Sequence, residues 1–261
     1  MRLWVLSDLH MDLTKGWDLP SPSERPPYDV LVVAGDLIPR MERGVRWLAE
    51  RVTDRPVIYV PGNHEGYGAD IDRTVEKARE AAAGTNIHVL ENDTVVIDGV
   101  RILGTTLWTD FQVFGAPAAA MRAAGDRMND YRRIRIGHYA RSLRPSDTLL
   151  RHSLARSYLA GVLATPFAGP TVVVTHHGVD RACSRPQYAD DIITAAYVSD
   201  LTELIEAHQP RLWVYGHTHQ SDDRMIGRTR VLSNAKGYGP WAPDRTWENP
   251  RFDPTLIIDI D

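Results

Sequence analysis

The sequence predicts an α/β fold of mixed α+β character, and three observations carry that expectation. Five short runs of apolar β-formers each end in polar, ligand-type side chains, as buried strands do where they feed a common sheet edge. The first three of these ends, Asp8, Asp36 and Asn63, stand 28 and 27 positions apart, each gap about one strand–helix–strand unit. Asp98-Gly99 then separates two apolar runs and marks a two-residue hairpin, so a parallel beginning gives way to antiparallel pairing.

Residues 2–6 form the first strand, and a proline-rich loop over 15–27 follows it. Residues 30–34 are the second strand, running through Gly35 into Asp36. Val45, Leu48 and Val52 recur at helical spacing and predict a helix over 42–51, before a third strand over 57–60. A second helix is expected over 70–83, with Ile71, Val75 and Ala78 on one face. The hairpin occupies 94–97 and 100–103. Between Trp108 and Arg144 periodicity fails, and this stretch reads as a partly helical, cap-like insertion at about 108–145 in a single domain spanning 1–261. A long helix over 146–163 follows, capped by Ser146 and Asp147, with Leu150, Leu154, Tyr158 and Val162 as its inward stripe. Further strands are expected at 171–175, 211–215, 224–226, 229–232 and 255–259, a helix at 199–208, and a loop at 178–196.

Composition bounds the function. The chain has 261 residues, 43% of them apolar, enough for a sizeable core. A net charge of −4 gives no general attraction for nucleic acid or acidic membranes, so an anionic substrate must be met by a local site. The single cysteine, Cys183, excludes an internal disulfide framework. The short apolar start before Asp8 does not read as a signal peptide, and no uncharged apolar run approaches membrane-spanning length. A soluble, cytoplasmic protein is expected.

The strand ends carry the chemistry. Asp8 and His10 are two positions apart, as are His217 and His219, and in extended chain such pairs point to one side. With Asp36, Asn63 and His176 they make seven oxygen and imidazole donors without a thiolate. That mixture suits Mn, Fe or Zn and is too rich in nitrogen for a calcium or magnesium cage. Seven donors fit two divalent or trivalent ions better than one. Two ions ~3.5–4 Å apart need a bridging anion, and the central Asp36 is the candidate.

The ordered set Asp-x-His, Gly-Asp, Gly-Asn-His-Glu, His and Gly-His-x-His resembles the calcineurin-like metallophosphoesterase superfamily, over nearly the whole chain. The resemblance implies a four-layer αββα sandwich, two mixed β-sheets face to face with helices outside, and a dinuclear site at the strand C-terminal ends. It implies that one ion takes Asp8, His10, Asp36 and His219, and the other Asp36, Asn63, His176 and His217. His64 would lie beside them, contacting the substrate or protonating the leaving oxygen. The implied reaction is hydrolysis of a phosphomonoester or phosphodiester by a metal-bridging hydroxide, with no covalent intermediate. Protein phosphatases of this superfamily continue the second motif as Gly-Asp-x-x-Asp-Arg-Gly, whereas here Leu37-Ile38-Pro39-Arg40 follows Asp36. The aspartate that would orient the acid histidine is missing, which speaks against a protein phosphatase. A nucleic-acid phosphodiesterase and a non-catalytic scaffold are the alternatives. The lack of a basic surplus favours a small phosphorylated substrate over a polymer; the oligomeric state is left open.

Substrate contacts are expected from His177 and from the insertion. Between Met121 and Arg144 lie seven arginines, Arg122, Arg127, Arg132, Arg133, Arg135, Arg141 and Arg144, against Asp126 and Asp130. Guanidinium forks match phosphate oxygens, and Arg132 and Arg133 are the chosen clamp because Met128-Asn129-Asp130-Tyr131 before them reads as an ordered turn. Tyr238 is held in reserve.

Overall fold

A computed structural model describes residues 1–242 and 244–260, so residues 243 and 261 of the expected domain span lie outside the described residues. Two mixed sheets stack face to face between two layers of helices, the four-layer sandwich that the resemblance implied. The first sheet contains β1 (Arg2–Leu6), β2 (Val30–Ala34), β3 (Val57–Val60) and β4 (Ile87–Val89) in parallel. The second begins with the hairpin β5 (Asp93–Ile97) and β6 (Val100–Thr105). After two-residue strands β7 (Arg135–Ile136) and β8 (Arg141–Ser142), it continues through β9 (Thr171–Thr175), β10 (Leu212–Tyr215), β11 (Ser221–Ile226) and β12 (Thr229–Asn234). Its order is β11-β12-β10-β9-β6-β5, with antiparallel pairs at both edges and parallel strands between. The last strand, β13 (Ile257–Asp259), returns to the first sheet and pairs antiparallel with β1. It does not complete the second sheet, as its place after the final hairpin had suggested.

Alternation within each strand builds the layers. Leu3, Val5, Val30, Val32, Ile58 and Val60 face Ile102, Val172, Val174, Leu212 and Val214 across the inter-sheet core. Their neighbours Trp4, Leu6, Leu31, Val33 and Tyr59 face α1 (Met41–Arg51) and α2 (Ile71–Ala82). Asp70 caps α2 by accepting from the backbone N–H groups of Asp72 and Arg73. On the other side Leu103, Val173, Trp213 and Tyr215 face α5 (Pro145–Ala164) and α6 (Thr202–His208). Both helices with a clean apolar period near the N-terminus therefore form where expected.

The stripe expected on α5 is wrong. Leu150 and Leu154 are 62% and 56% exposed, and the helix buries His152, Ala155, Leu159 and Leu163 instead. Apolar side chains surround this helix, so two stripes at helical spacing compete, and a small alanine with a histidine disguised the buried one. The stretch 108–145, expected as an insertion, contains α3 (Pro117–Arg127), α4 (Asp130–Arg133), β7 and β8, and the loop expected over 178–196 includes three 3₁₀ turns. No helix among the described residues is long and apolar enough to cross a membrane.

Candidate metal centre

The polar strand ends converge, but from two sheets and by an unexpected local geometry. β1, β2 and β3 deliver Asp8, His10, Asp36 and Asn63 from one sheet; β9 and β10 deliver His176, His217 and His219 from the other. Extended-strand alternation does not align the pairs. Asp8, His10, Asp36, His217 and His219 have φ of 52°, 44°, 54°, 67° and 50°, so the chain turns left-handed at each of them. Such backbone costs non-glycine residues ~1–2 kcal/mol each and concentrates at functional sites. Close approach completes the arrangement: a Cβ on Gly62 would collide with the Asp36 carboxylate, and one on Gly216 with Ser7 and Asp8.

Two donor groups share Asp36. The first joins Asp8, His10, Asp36 and His219, the second Asp36, His176 and His217, and within each the donor atoms lie within 4.8 Å of one another. His10 Nε2 and His219 Nε2 are 3.0 Å apart, His10 Nε2 is 3.6 Å from Asp36 Oδ2, and His219 Nε2 is 3.5 Å from Asp8 Oδ1. In the second group Asn63 Oδ1 lies 3.0 Å from both His176 Nε2 and His217 Nδ1. His176 Nε2 is 3.1 Å from His217 Nδ1 and 3.4 Å from Asp36 Oδ1. One oxygen of Asp36 thus faces each group.

Tautomers make these separations informative. His176 Nδ1 sits 2.9 Å from the Ala34 carbonyl, which can only accept, so its Nε2 is a bare lone pair. Asn63 Nδ2 donates to Asp130 at 2.6 Å, turning Asn63 Oδ1 inward. His219 Nδ1 donates to Glu248 at 2.7 Å, the carboxylate–histidine pairing that orients metal-bound imidazoles. The lone pairs of His176 Nε2 and Asn63 Oδ1 therefore face each other 3.0 Å apart. Donors around an ion at ~2.1 Å would stand ~3.0–3.4 Å apart, so the residues fit a transition-metal ion in each group.

Charge points the same way. Asp36 is raised well above the ordinary carboxylate range by burial and by the charges of Glu65 and Asp8. Burial pushes the same way at Asp8, but His219 and Ser7 hydrogen bonds and histidine charge outweigh it and lower that carboxyl. His10 and His217 are held well below the usual histidine range, chiefly by burial. Burial also opposes a charge on His219, yet Asp8 and Glu248 overcome it and raise this histidine to about 8.

His64 lies at the edge of this cluster, its Nε2 3.9 Å from Asp36 Oδ2 and its ring stacked on Tyr67 at 4.1 Å. The Tyr238 hydroxyl is 3.5 Å from His64 Nε2, and burial pulls this histidine down to about 3. His177 is fully buried behind His217, its ring 4.3 Å away and its Nδ1 on the Thr106 carbonyl, and it does not line the cleft above. Neither Arg132 nor Arg133 lines that cleft: Arg132 donates to the Asp126 carbonyl, and Arg133 lies over the outer face of Tyr67 at 4.5 Å.

Three supporting residues escaped the sequence reading. Glu65 is fully buried and accepts from the backbone N–H groups of Asp36, Leu37 and Gly62 and from the Tyr59 hydroxyl, at 2.7–3.0 Å. It ties the Gly-Asp and Gly-Asn-His loops together, and its place within the third motif was the available signal. Asp130, at the start of α4, and Glu248, in a loop, fix Asn63 and His219 from places that carry no such signal.

Comparison with known proteins agrees with this architecture. Uncharacterized protein L509 of Acanthamoeba polyphaga mimivirus is 22% identical over 99% of this chain and 96% of its own length. The phosphopantetheinyl hydrolase of Mycobacterium tuberculosis superposes with a TM-score of 0.67 at 20% identity, covering 90% of this chain and 89% of that one. A dimetal phosphatase of Danio rerio superposes at 0.50 with 11% identity, over 89% and 86% of the two chains. The sequence pattern of the calcineurin-like phosphoesterases matches residues 1–221, and with the paired strand-end donors on two stacked sheets, the chain belongs to that family.

Proposed function

We propose that this protein is a dinuclear metal-dependent hydrolase of a small phosphoester. The carrying observation is Asp36, a buried carboxylate with one oxygen toward each of two complete donor groups. Asp8, His10, Asp36 and His219 would hold one ion, and Asp36, Asn63, His176 and His217 the other. All donors are nitrogen or oxygen, which suits Mn, Fe or Zn. Such a pair of ions, when bound, supplies Lewis acidity toward phosphoryl oxygens and an acidified water as nucleophile.

The chain's own side chains do the rest. Glu248 and the Ala34 carbonyl keep the ring protons of His219 and His176 on the outer nitrogens. His64 faces the cleft neutral, held by Tyr67 and Tyr238 where protein phosphatases use an aspartate. A neutral Nε2–H there can donate to a phosphoryl or leaving oxygen, and aromatic packing gives it less basicity than a carboxylate partner would. The test is hydrolysis of chromogenic phosphoesters with Mn added, beside metal analysis of the wild type and Asp36→Asn. Two ions in the wild type, neither in Asp36→Asn, and Mn-dependent turnover are expected. A protein that binds no transition metal, or hydrolyses equally well in a chelator, overturns the reading.

A further inference from the structure

The cleft above the cluster measures ≈ 450 Å³ and runs well past the donor groups. Its outer walls include four tyrosines, Tyr67, Tyr188, Tyr197 and Tyr238. Among the described residues, its lining has two side chains with a permanent positive charge, Arg127 and Arg185. Both are occupied. Arg127 donates from Nη1 and Nη2 to the two oxygens of Asp191, each at 2.8 Å. Arg185 gives Nη2 to Glu248 at 2.7 Å, and its Nε and Nη2 to the Thr218 and His219 carbonyls at 2.8 Å. Asp36, Asp130, Asp191 and Glu248 stand on the same walls. Away from the two donor groups, the cleft therefore has no unpaired cation for a second anionic group, its two arginines being neutralised by Asp191 and Glu248.

We propose, on the phosphoesterase reading above, that the substrate is a phosphodiester with a single negative charge and an uncharged arm. Terminal monoesters and polyphosphates are selected against. A terminal phosphate brings ~1.5–2 negative charges at neutral pH, and proteins that hold one characteristically offer it free guanidinium forks. A diester brings one charge, which the ions alone meet. The uncharged arm lies along the tyrosines, whose rings give contact area and whose hydroxyls give hydrogen bonds. The reaction balances simply: a water oxygen bonds to phosphorus, the bond from phosphorus to one arm oxygen breaks, and that arm leaves as an alcohol. The water's second proton goes to solvent. The product is a monoester with one more negative charge than the substrate, so the same absence of free cations that selects the diester expels the product.

The test compares kcat/KM for bis(p-nitrophenyl) phosphate, p-nitrophenyl phosphate and the p-nitrophenyl ester of thymidine 5′-monophosphate with phosphate release from ADP, at fixed Mn and verified occupancy. Both diesters should exceed the monoester by at least about tenfold, the worth of one unmet charge-assisted contact, and ADP should be a poor substrate. In Asp191→Asn, which keeps the cap on the Ile193 N–H, Arg127 is released, and the monoester-to-diester ratio should rise several-fold, mainly through KM. A monoester or ADP turned over as well as the diesters refutes the charge selection while leaving the phosphoesterase reading intact. So does a ratio that Asp191→Asn does not move at full occupancy. Hydrolysis of none of the four by a metal-loaded protein removes both.

Discussion

Replacing Glu65 by Gln tests how the donor loops are held, independently of any metal. Glu65 accepts four hydrogen bonds in a fully buried position, two from backbone groups next to Asp36 and one from Gly62 beside Asn63. A glutamine there presents one oxygen and an NH₂ that cannot accept, so about two of the four donors lose their partner. Each buried unsatisfied donor costs ~1–3 kcal/mol, giving ~2–6 kcal/mol of lost stability. That is a large share of the ~5–15 kcal/mol a domain possesses. Urea unfolding in chelator, followed by fluorescence of the seven tryptophans, measures it directly. Glu76→Gln, which disturbs only the exposed pair with Arg73, is the control and should stay within ~0.5 kcal/mol. A Glu65→Gln loss below ~1 kcal/mol would refute the claim that this carboxylate holds the two loops in register.

Glu248→Gln should weaken binding of the ion at His219 by about 10–100-fold while the other ion stays, read by titration of the chelated protein with Mn; equal loss of both ions would contradict the two-group arrangement. His64→Ala should lower turnover of a substrate with a poor leaving group by ~10²-fold, and less for p-nitrophenol, if His64 assists the leaving oxygen; equal effects on both point to substrate binding alone. Burial pulls the Lys236 ammonium down to about 8 from 10.5. Its neutral form is favoured by folding, so the associated stability is complete above pH 10.5 and lost as pH falls through 8. The stability difference between wild type and Lys236→Met should accordingly shift by up to ~3 kcal/mol toward wild type between pH 7.5 and 10.5; a flat difference refutes it. Cys183 is fully buried with its thiol pushed up to about 12, and it should resist a thiol reagent at pH 8 until the chain is unfolded.

What could be read from the sequence was whatever the chain writes locally. Asp8, Asp36 and His176 stand at the ends of apolar strand runs, so their convergence needed only the strand pattern and the crossover spacing. The order of the strands was less legible, since β13 crosses to the first sheet through contacts with β1 that no local pattern records. β4 was missed because three residues are too few to show a period. Asp130 reaches Asn63 across 67 positions from the start of the short α4, and Glu248 reaches His219 across 29 from a loop, and neither place marks the acid as a partner of a donor. The left-handed turns at the donors were equally hidden, because aspartate and histidine, though enriched at positive φ, adopt it too seldom for one such residue to mark a turn.

Those turns set the site against the stability of the molecule that carries it. Glycine at His10, His217 or His219 would relieve a strained backbone, and asparagine at Asp8 or Asp36 would be comfortable there while removing a buried charge. A screen for thermal tolerance run in chelator would therefore enrich changes at the donor positions themselves. Heat-resistant variants obtained that way should have lost the centre first, whereas the same screen with Mn present would keep it, because an ion bound only by the folded chain rewards the strained residues.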